Sequence, residues 1–105
     1  MMLSVLIPTL TERRKRFDIL KEKLTRLAHP YEVEILSIED NREKSIGQKR
    51  NELIGMANGK YSVFIDDDDD VPEWYFEKIF EAIKKKPETD CIGFMGLLMW
   101  ANNGK

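Results

Sequence analysis

The 105-residue sequence predicts a three-layer α/β fold, a mainly parallel sheet with helices on both faces. Short runs of branched apolar residues alternate with longer stretches whose apolar residues recur every three or four positions. These are the signatures of buried strands and amphipathic helices. Cap and turn residues fall between them, and the order that results is β-α-β-α-β-α-β.

Residues 3–8 (LSVLIP) are short and branched, a buried first strand. Across residues 16–27, Phe17, Leu20, Leu24 and Leu27 mark an amphipathic helix. His29-Pro30 ends it, because a residue before proline avoids helical angles. Residues 32–38 (EVEILSI) alternate and then run apolar, a second strand. Ser45 and Gln48 form a capping box, and the helix they open is expected to close at Asn58-Gly59 with a left-handed stop. Residues 61–65 are the third strand. Phe76, Ile79, Phe80 and Ile83 stripe a third helix, with Lys84, Lys85 and Lys86 at its negative end and Pro87 beyond. Residues 90–100 complete the pattern as a fourth strand.

Composition narrows the class. The length suits one domain, 1–105, able to bury roughly 60–70% of its unfolded surface. A formal charge of -2 gives no basic excess for general nucleic-acid binding. The opening MMLSVLIPTL is too short for a signal peptide or membrane span. A single cysteine, Cys91, forms no internal disulfide, fits the reducing cytoplasm, and reads as a small buried residue. Self-association is left open.

The fold order places the chemistry. Ligands of open α/β sheets bind outside the carboxyl ends of the strands. Pro8-Thr9, Glu39-Asp40-Asn41 and the run Asp66 to Asp70 all fall at such ends. Five adjacent carboxylates repel by about 1–4 kcal/mol per contacting pair. Side chains two apart on extended backbone share a direction, so Asp66 and Asp68 can converge while Asp67 looks elsewhere. Paired aspartate oxygens suit Mg²⁺ or Mn²⁺. Asp70, with Pro72 and Glu73 following, fits the N-cap of the third helix. The plainer reading of the run is a solvated acidic loop.

Ile46, Leu53, Ile54 and Ala57 define the expected buried stripe of the second helix, and Arg50 falls on it. A buried arginine needs a carboxylate or a phosphate. Arg13, Arg14, Lys15 and Arg16 follow the first strand, as a solvated face or as an attractor of anions. Trp74, Tyr75 and Trp100 suit sugar stacking or, more simply, packing.

SVLIPT, Glu39-Asp40, GQKRNELIGMANGKY and FIDDDDD together resemble the nucleotide-binding half of glycosyltransferase family 2, which has the GT-A fold. The family's Gly-x-x-Arg-Asn, Ala-x-Gly-x-Tyr and Asp-x-Asp stand here as Gly47, Arg50, Asn51, Ala57, Gly59, Tyr61, Asp66 and Asp68. The resemblance implies an enzyme, usually inverting, that moves a sugar from a UDP-sugar or related donor to the hydroxyl of a glycan or other acceptor. It implies that Pro8, Thr9 and Asp40 hold base and ribose, and that Arg50, Asn51, Asp66 and Asp67 complete the donor site. Asp66 and Asp68 would hold the Mn²⁺ or Mg²⁺ that bridges the diphosphate. The acceptor-side base of the family lies well downstream of Asp-x-Asp, so no catalytic base is assigned here. The chain is expected to be the donor-binding part of a longer glycosyltransferase, inactive alone.

Two other classes compete. Asp67-x-Asp69-x-Val71 resembles the haloacid-dehalogenase phosphatase motif, with Asp67 as nucleophile beside Mg²⁺, although that motif belongs on a first strand. A non-catalytic α/β interaction module would make the acidic run a surface feature.

Overall fold

The computed structural model describes residues 1–85, 91–94 and 97–101. Its sheet is built from β1 (Leu3–Leu10), β2 (Val33–Asp40), β3 (Tyr61–Phe64), β4 (Cys91–Phe94) and β5 (Leu97–Ala101). The helices are α1 (Arg14–Ala28), entered through a 3-10 turn at Thr11–Arg13, then α2 (Ile46–Met56) and α3 (Tyr75–Lys85). Strand order is β2-β1-β3-β5-β4. β1 lies inside, parallel to β2 on one side and to β3 on the other. Among the described residues no helix is long and apolar enough to cross a membrane.

β1 is buried along nearly its whole length because both its faces are covered. Leu3, Val5 and Ile7 point into one core with Phe17, Leu20 and Leu24 of α1 and Phe76, Ile79 and Ile83 of α3. Leu6 points into the other, with Leu53 and Ala57 of the α2 segment. The three layers are therefore α1 and α3, the sheet, and α2. From β1 the chain crosses to β2 through α1, and then back to β3 through α2 on the opposite face. The constant hand of β-α-β crossovers requires that opposition.

The expected fourth strand over residues 90–100 is two strands. Phe94 pairs with Leu97, so β4 and β5 form an antiparallel hairpin, and β5 pairs antiparallel with β3. Four strands thus share one direction and β5 alone runs against it. Apolar periodicity did not show this; the mark in the sequence is Gly96, in the two-residue break between the strands. The Cys91 side chain, Asp90, Lys86 and Pro87 lie outside the described residues.

Two helix ends differ from expectation. Ser45 does cap α2, its hydroxyl accepting the Gln48 N–H at 3.1 Å. However, α2 closes at Ala57 in an extended conformation, not at a left-handed Asn58-Gly59. Asp70 is not the cap of α3, which begins only at Tyr75. Its carboxylate pairs with Lys23 of α1 at 2.9 Å.

Gly59 has a different reason to be glycine. A Cβ there would lie 2.7 Å from the Leu3 carbonyl carbon, the Ser4 nitrogen and Ser4 Oγ. The chain passes against β1 at this point, and Ser4 Oγ accepts the Gly59 N–H at 2.8 Å while donating to Glu34. Glu34 also takes the Asn58 N–H, and this knot aims the chain into β3. Burial pushes the Glu34 carboxyl up, but the bonds from Ser4, Asn58 and Gly59 outweigh it and leave it below its usual range. Gly59→Ala would force the central strand to move, and overpacking of this kind costs about 1–3 kcal/mol. A lowered urea midpoint with unchanged slope is the expected result; an unchanged midpoint would mean the close approach is not rigid.

Candidate functional site

The end of β1 organises the site. Thr9 is 1% exposed and is held from both sides. Its hydroxyl donates to Asp67 Oδ2 at 2.7 Å, and its carbonyl accepts from Lys49 Nζ at 3.0 Å. Asp67 Oδ1 takes Arg13 Nη1 at 3.1 Å. Lys49 Nζ also donates to Asp40 Oδ1 at 2.7 Å, and Asp40 Oδ2 accepts the Lys44 N–H at 2.6 Å. One polar chain, Arg13–Asp67–Thr9–Lys49–Asp40–Lys44, therefore joins the ends of β1 and β2 to α2 and to the loop after β3.

A cleft of about 300 Å³ opens beside this chain. Pro8, Thr9 and Leu10 of β1, Arg13, Arg42, Lys44, Ile46, Lys49 and Asp67 line it. Its size lies at the lower end of the range of small-molecule sites, about 300–1,000 Å³. Arg42 reaches it from a left-handed backbone, φ 69°, and pairs with Glu12. A second hollow, lined by Glu12, Arg13, Lys15, Arg16 and Arg42, adjoins it through the two arginines they share. Among the described residues Lys15 and Arg16 have no ion-pair partner.

The aspartate run divides by direction. Asp67 turns inward and is 3% exposed. Asp66, Asp68 and Asp69 turn outward and bring carboxylate oxygens within 4.8 Å of one another. A turn with the Asp69 N–H on the Asp66 carbonyl at 3.1 Å gathers them. Hard oxygen donors so grouped fit a divalent cation. Burial, then the charges of Asp66 and Asp68, push the Asp69 carboxyl up. The Tyr75 hydroxyl is buried without a hydrogen-bond partner among the described residues, and burial followed by the charge of Asp69 raises its pKa strongly.

Several expected site residues sit elsewhere. Arg50 is not on the buried face of α2; it is exposed, with its guanidinium 5.2 Å from the centre of the Phe64 ring. Asn51 and Ile46 are also exposed. The buried face runs through Lys49, Leu53 and Ala57: Leu53 and Ala57 lie on it as expected, and Lys49 takes the place expected of Arg50. Lys49 at that spacing was the missed signal, a charged residue four before a buried leucine. The Asp40 side chain is tucked behind Lys49 and does not line the cleft. Tyr75 and Trp100 are packing residues, against Phe76 and Phe64. Asp67, with both oxygens engaged in the interior, does not resemble the open nucleophile a dehalogenase-type phosphatase needs.

A largely parallel sheet with a cleft and converging carboxylates beyond its strand ends defines a rim-binding α/β protein. The chain belongs to a family of that kind: the sequence profile described as Glycosyl transferase family 2 matches residues 18–97. No curated relative matches in sequence. Among solved structures, S. aureus TarS 1-349 in complex with UDP is similar at TM-score 0.71 and 20% identity. The match covers 87% of this chain and 34% of that one. A second structure of S. aureus TarS matches at TM-score 0.68 and 20% identity, over 87% of this chain and 21% of that one. TarS 1-349 in complex with UDP-GlcNAc gives TM-score 0.62 and 18% identity, over 87% and 33%. At this identity the likeness shows the fold, and the chain spans about a third or less of these relatives.

Two carboxylates carry opposite pH signatures. The bond from Lys49, then the Lys44 N–H, holds the Asp40 carboxyl below its usual range against the opposing effect of burial. A depressed folded pKa stabilises the fold above the unfolded value, about 3.9, and that contribution fades as pH falls through the folded value. Asp69, raised, does the reverse and destabilises the fold at neutral pH. Asp40→Asn is therefore expected to lower the melting temperature at pH 7 and Asp69→Asn to raise it; the Asp40 difference fades as pH falls below about 3.9, whereas the Asp69 difference fades above that value and is gone below it. Melts of the two variants and wild type at pH 7 and pH 3 check this, and a same-sign effect at pH 7 would refute the assignment.

Proposed function

We propose that this chain binds the nucleoside diphosphate of a sugar donor, a UDP-sugar, for transfer of the sugar to an acceptor hydroxyl. The observation that carries the reading is the pairing of a rim cleft with an outward carboxylate triad, Asp66, Asp68 and Asp69. Family membership supports the reaction class. The UDP and UDP-GlcNAc complexes of TarS support the donor.

In this reading Pro8, Leu10 and Ile46 flank the base, while Thr9 and the backbone around it define the depth of the cleft. Arg50 and Asn51, both exposed on α2, remain proposed donor contacts. Asp67 serves the donor indirectly, by fixing Thr9 and Arg13. Asp66 and Asp68, joined by Asp69, would hold Mn²⁺ or Mg²⁺; such a cation supplies Lewis-acid stabilisation to a departing diphosphate. Arg13, Arg42 and Lys44 give the cleft a positive wall suited to phosphate. The general base for the acceptor hydroxyl is assigned to no residue of this chain. A cytoplasmic setting, where nucleotide-sugars and free thiols coexist, accords with the single cysteine.

UDP and Mn²⁺ together are expected to raise the melting temperature, and either alone much less. At about 100 times Kd the gain is about 2.7 kcal/mol. For a domain of this size each kcal/mol is worth about 4–8 °C. Asp68→Asn should abolish the joint shift, and Asp70→Asn, which loses only an exposed pair with Lys23, should keep it. Retention of the full shift by Asp68→Asn would rule out the metal role.

A further inference from the structure

Lys49 is a buried charge that the proposed function leaves without a task. The residue is 3% exposed, yet it borders the cleft. An ammonium carries three donors. One goes to the Thr9 carbonyl and one to Asp40 Oδ1. The third has no acceptor among the described residues, and a buried donor left unmade is costly. The open space beside it is the cleft.

Asp40 cannot fill this role itself. It is absent from the cleft wall, and each of its oxygens already accepts a bond, from Lys49 and from the Lys44 N–H. The group presented to a ligand is therefore Lys49, with Asp40 behind it as counter-ion. Because the pair is neutral overall, it offers a directed donor and little net charge. That suits an uncharged oxygen better than a phosphate, for which Arg13, Arg42 and Lys44 are available. Pro8, Leu10 and Ile46 supply apolar walls beside it, matched to the faces of a flat heterocycle.

We propose that Lys49 donates a hydrogen bond to a carbonyl oxygen of the pyrimidine base, and that Asp40 is a positioning residue acting through it. This rests on the nucleotide reading of the cleft. Base recognition then depends on a helix residue packed against the sheet and anchored to the backbone of β1.

The test measures calorimetric affinity of the 105-residue chain for three probes: uridine, pyrophosphate with Mn²⁺, and UDP with Mn²⁺. The variants are Lys49→Met, Asp40→Asn, and the two combined. The combined variant removes both charges together, which guards against the unpaired buried carboxylate that Lys49→Met alone would leave. Thermal melts establish that each is folded. Loss of a bond from a charged donor is expected to weaken uridine binding by about tenfold or more in both Lys49 variants. Pyrophosphate with Mn²⁺ should bind them as it binds wild type, whereas a purely structural role would weaken both ligands together. Asp40→Asn keeps Lys49 and leaves it an amide oxygen as acceptor, so it should lose less than either Lys49 variant. The proposal is overturned if the folded double variant binds uridine as wild type does, or if Asp40→Asn alone accounts for the whole loss. If wild type binds neither uridine nor UDP with Mn²⁺, the nucleotide reading itself falls and takes this proposal with it. If UDP binds and the Lys49 variants match wild type, only this proposal falls.

Discussion

Thr9 is the fixed point of the molecule. It sits where the central strand leaves the sheet, and its hydroxyl and carbonyl are engaged by two different elements. The hydroxyl holds Asp67, and so sets the path of the chain after β3. The carbonyl holds Lys49, and so sets how α2 rests on the sheet and where Asp40 points. Neither partner would be tolerated in the interior alone, since a buried charge must be paired and bonded. Placing a carboxylate and an ammonium on the same threonine lets both be buried next to a cleft.

Tolerance of five consecutive aspartates follows from the same arrangement. Two are neutralised by the segment that follows β1: Asp67 by Arg13 and Asp70 by Lys23. Arg26 of α1 adds a pair with Glu73 just beyond. Two of the basic residues of α1, Lys23 and Arg26, are thus explained by this neighbour. Three carboxylates remain outward and, among the described residues, uncompensated, with Asp69 displaced upward in pKa by burial and by the other two. Their repulsion is stored in a place where a cation would relieve it.

Most of the fold was legible in the sequence because it rests on periodicity and punctuation. The LSVLIP strand, the Phe17–Leu20–Leu24 stripe and the Ser45 cap all follow from local rules. The β4–β5 reversal was missed because apolar content runs through residues 90–100 and Gly96, in the break between the strands, was passed over. At the site, the outward Asp66 and Asp68 and the inward Asp67 match the expectation, but a turn after β3, and not extended backbone, produces the split and adds Asp69 to the outward group. The role of Lys49 was not legible. A rotation of one residue about the α2 axis, about 100°, exchanges Lys49 for Arg50 on the buried face. Only the packing of Leu53 and Ala57 against Leu6 decides between them. Asp70 misled for a related reason: its cap pattern is satisfied on paper, while an ion pair with a distant lysine takes it in the folded chain.

The antiparallel strand β5 separates what the protein needs for binding from what it needs to avoid sticking to its own copies. Every residue of the cleft and of the carboxylate triad precedes α3 in the chain. Yet among the described residues the outer edge of β3 is closed only by β5, with Tyr61, Ser62 and Val63 paired to Ala101, Trp100 and Met99. A fragment trimmed after α3 would retain the whole binding apparatus and leave a row of unpaired strand groups beside it, a template for edge-to-edge aggregation. The smallest well-behaved unit is thus set by sheet closure, which comes with β5 and well after the last aspartate of the run.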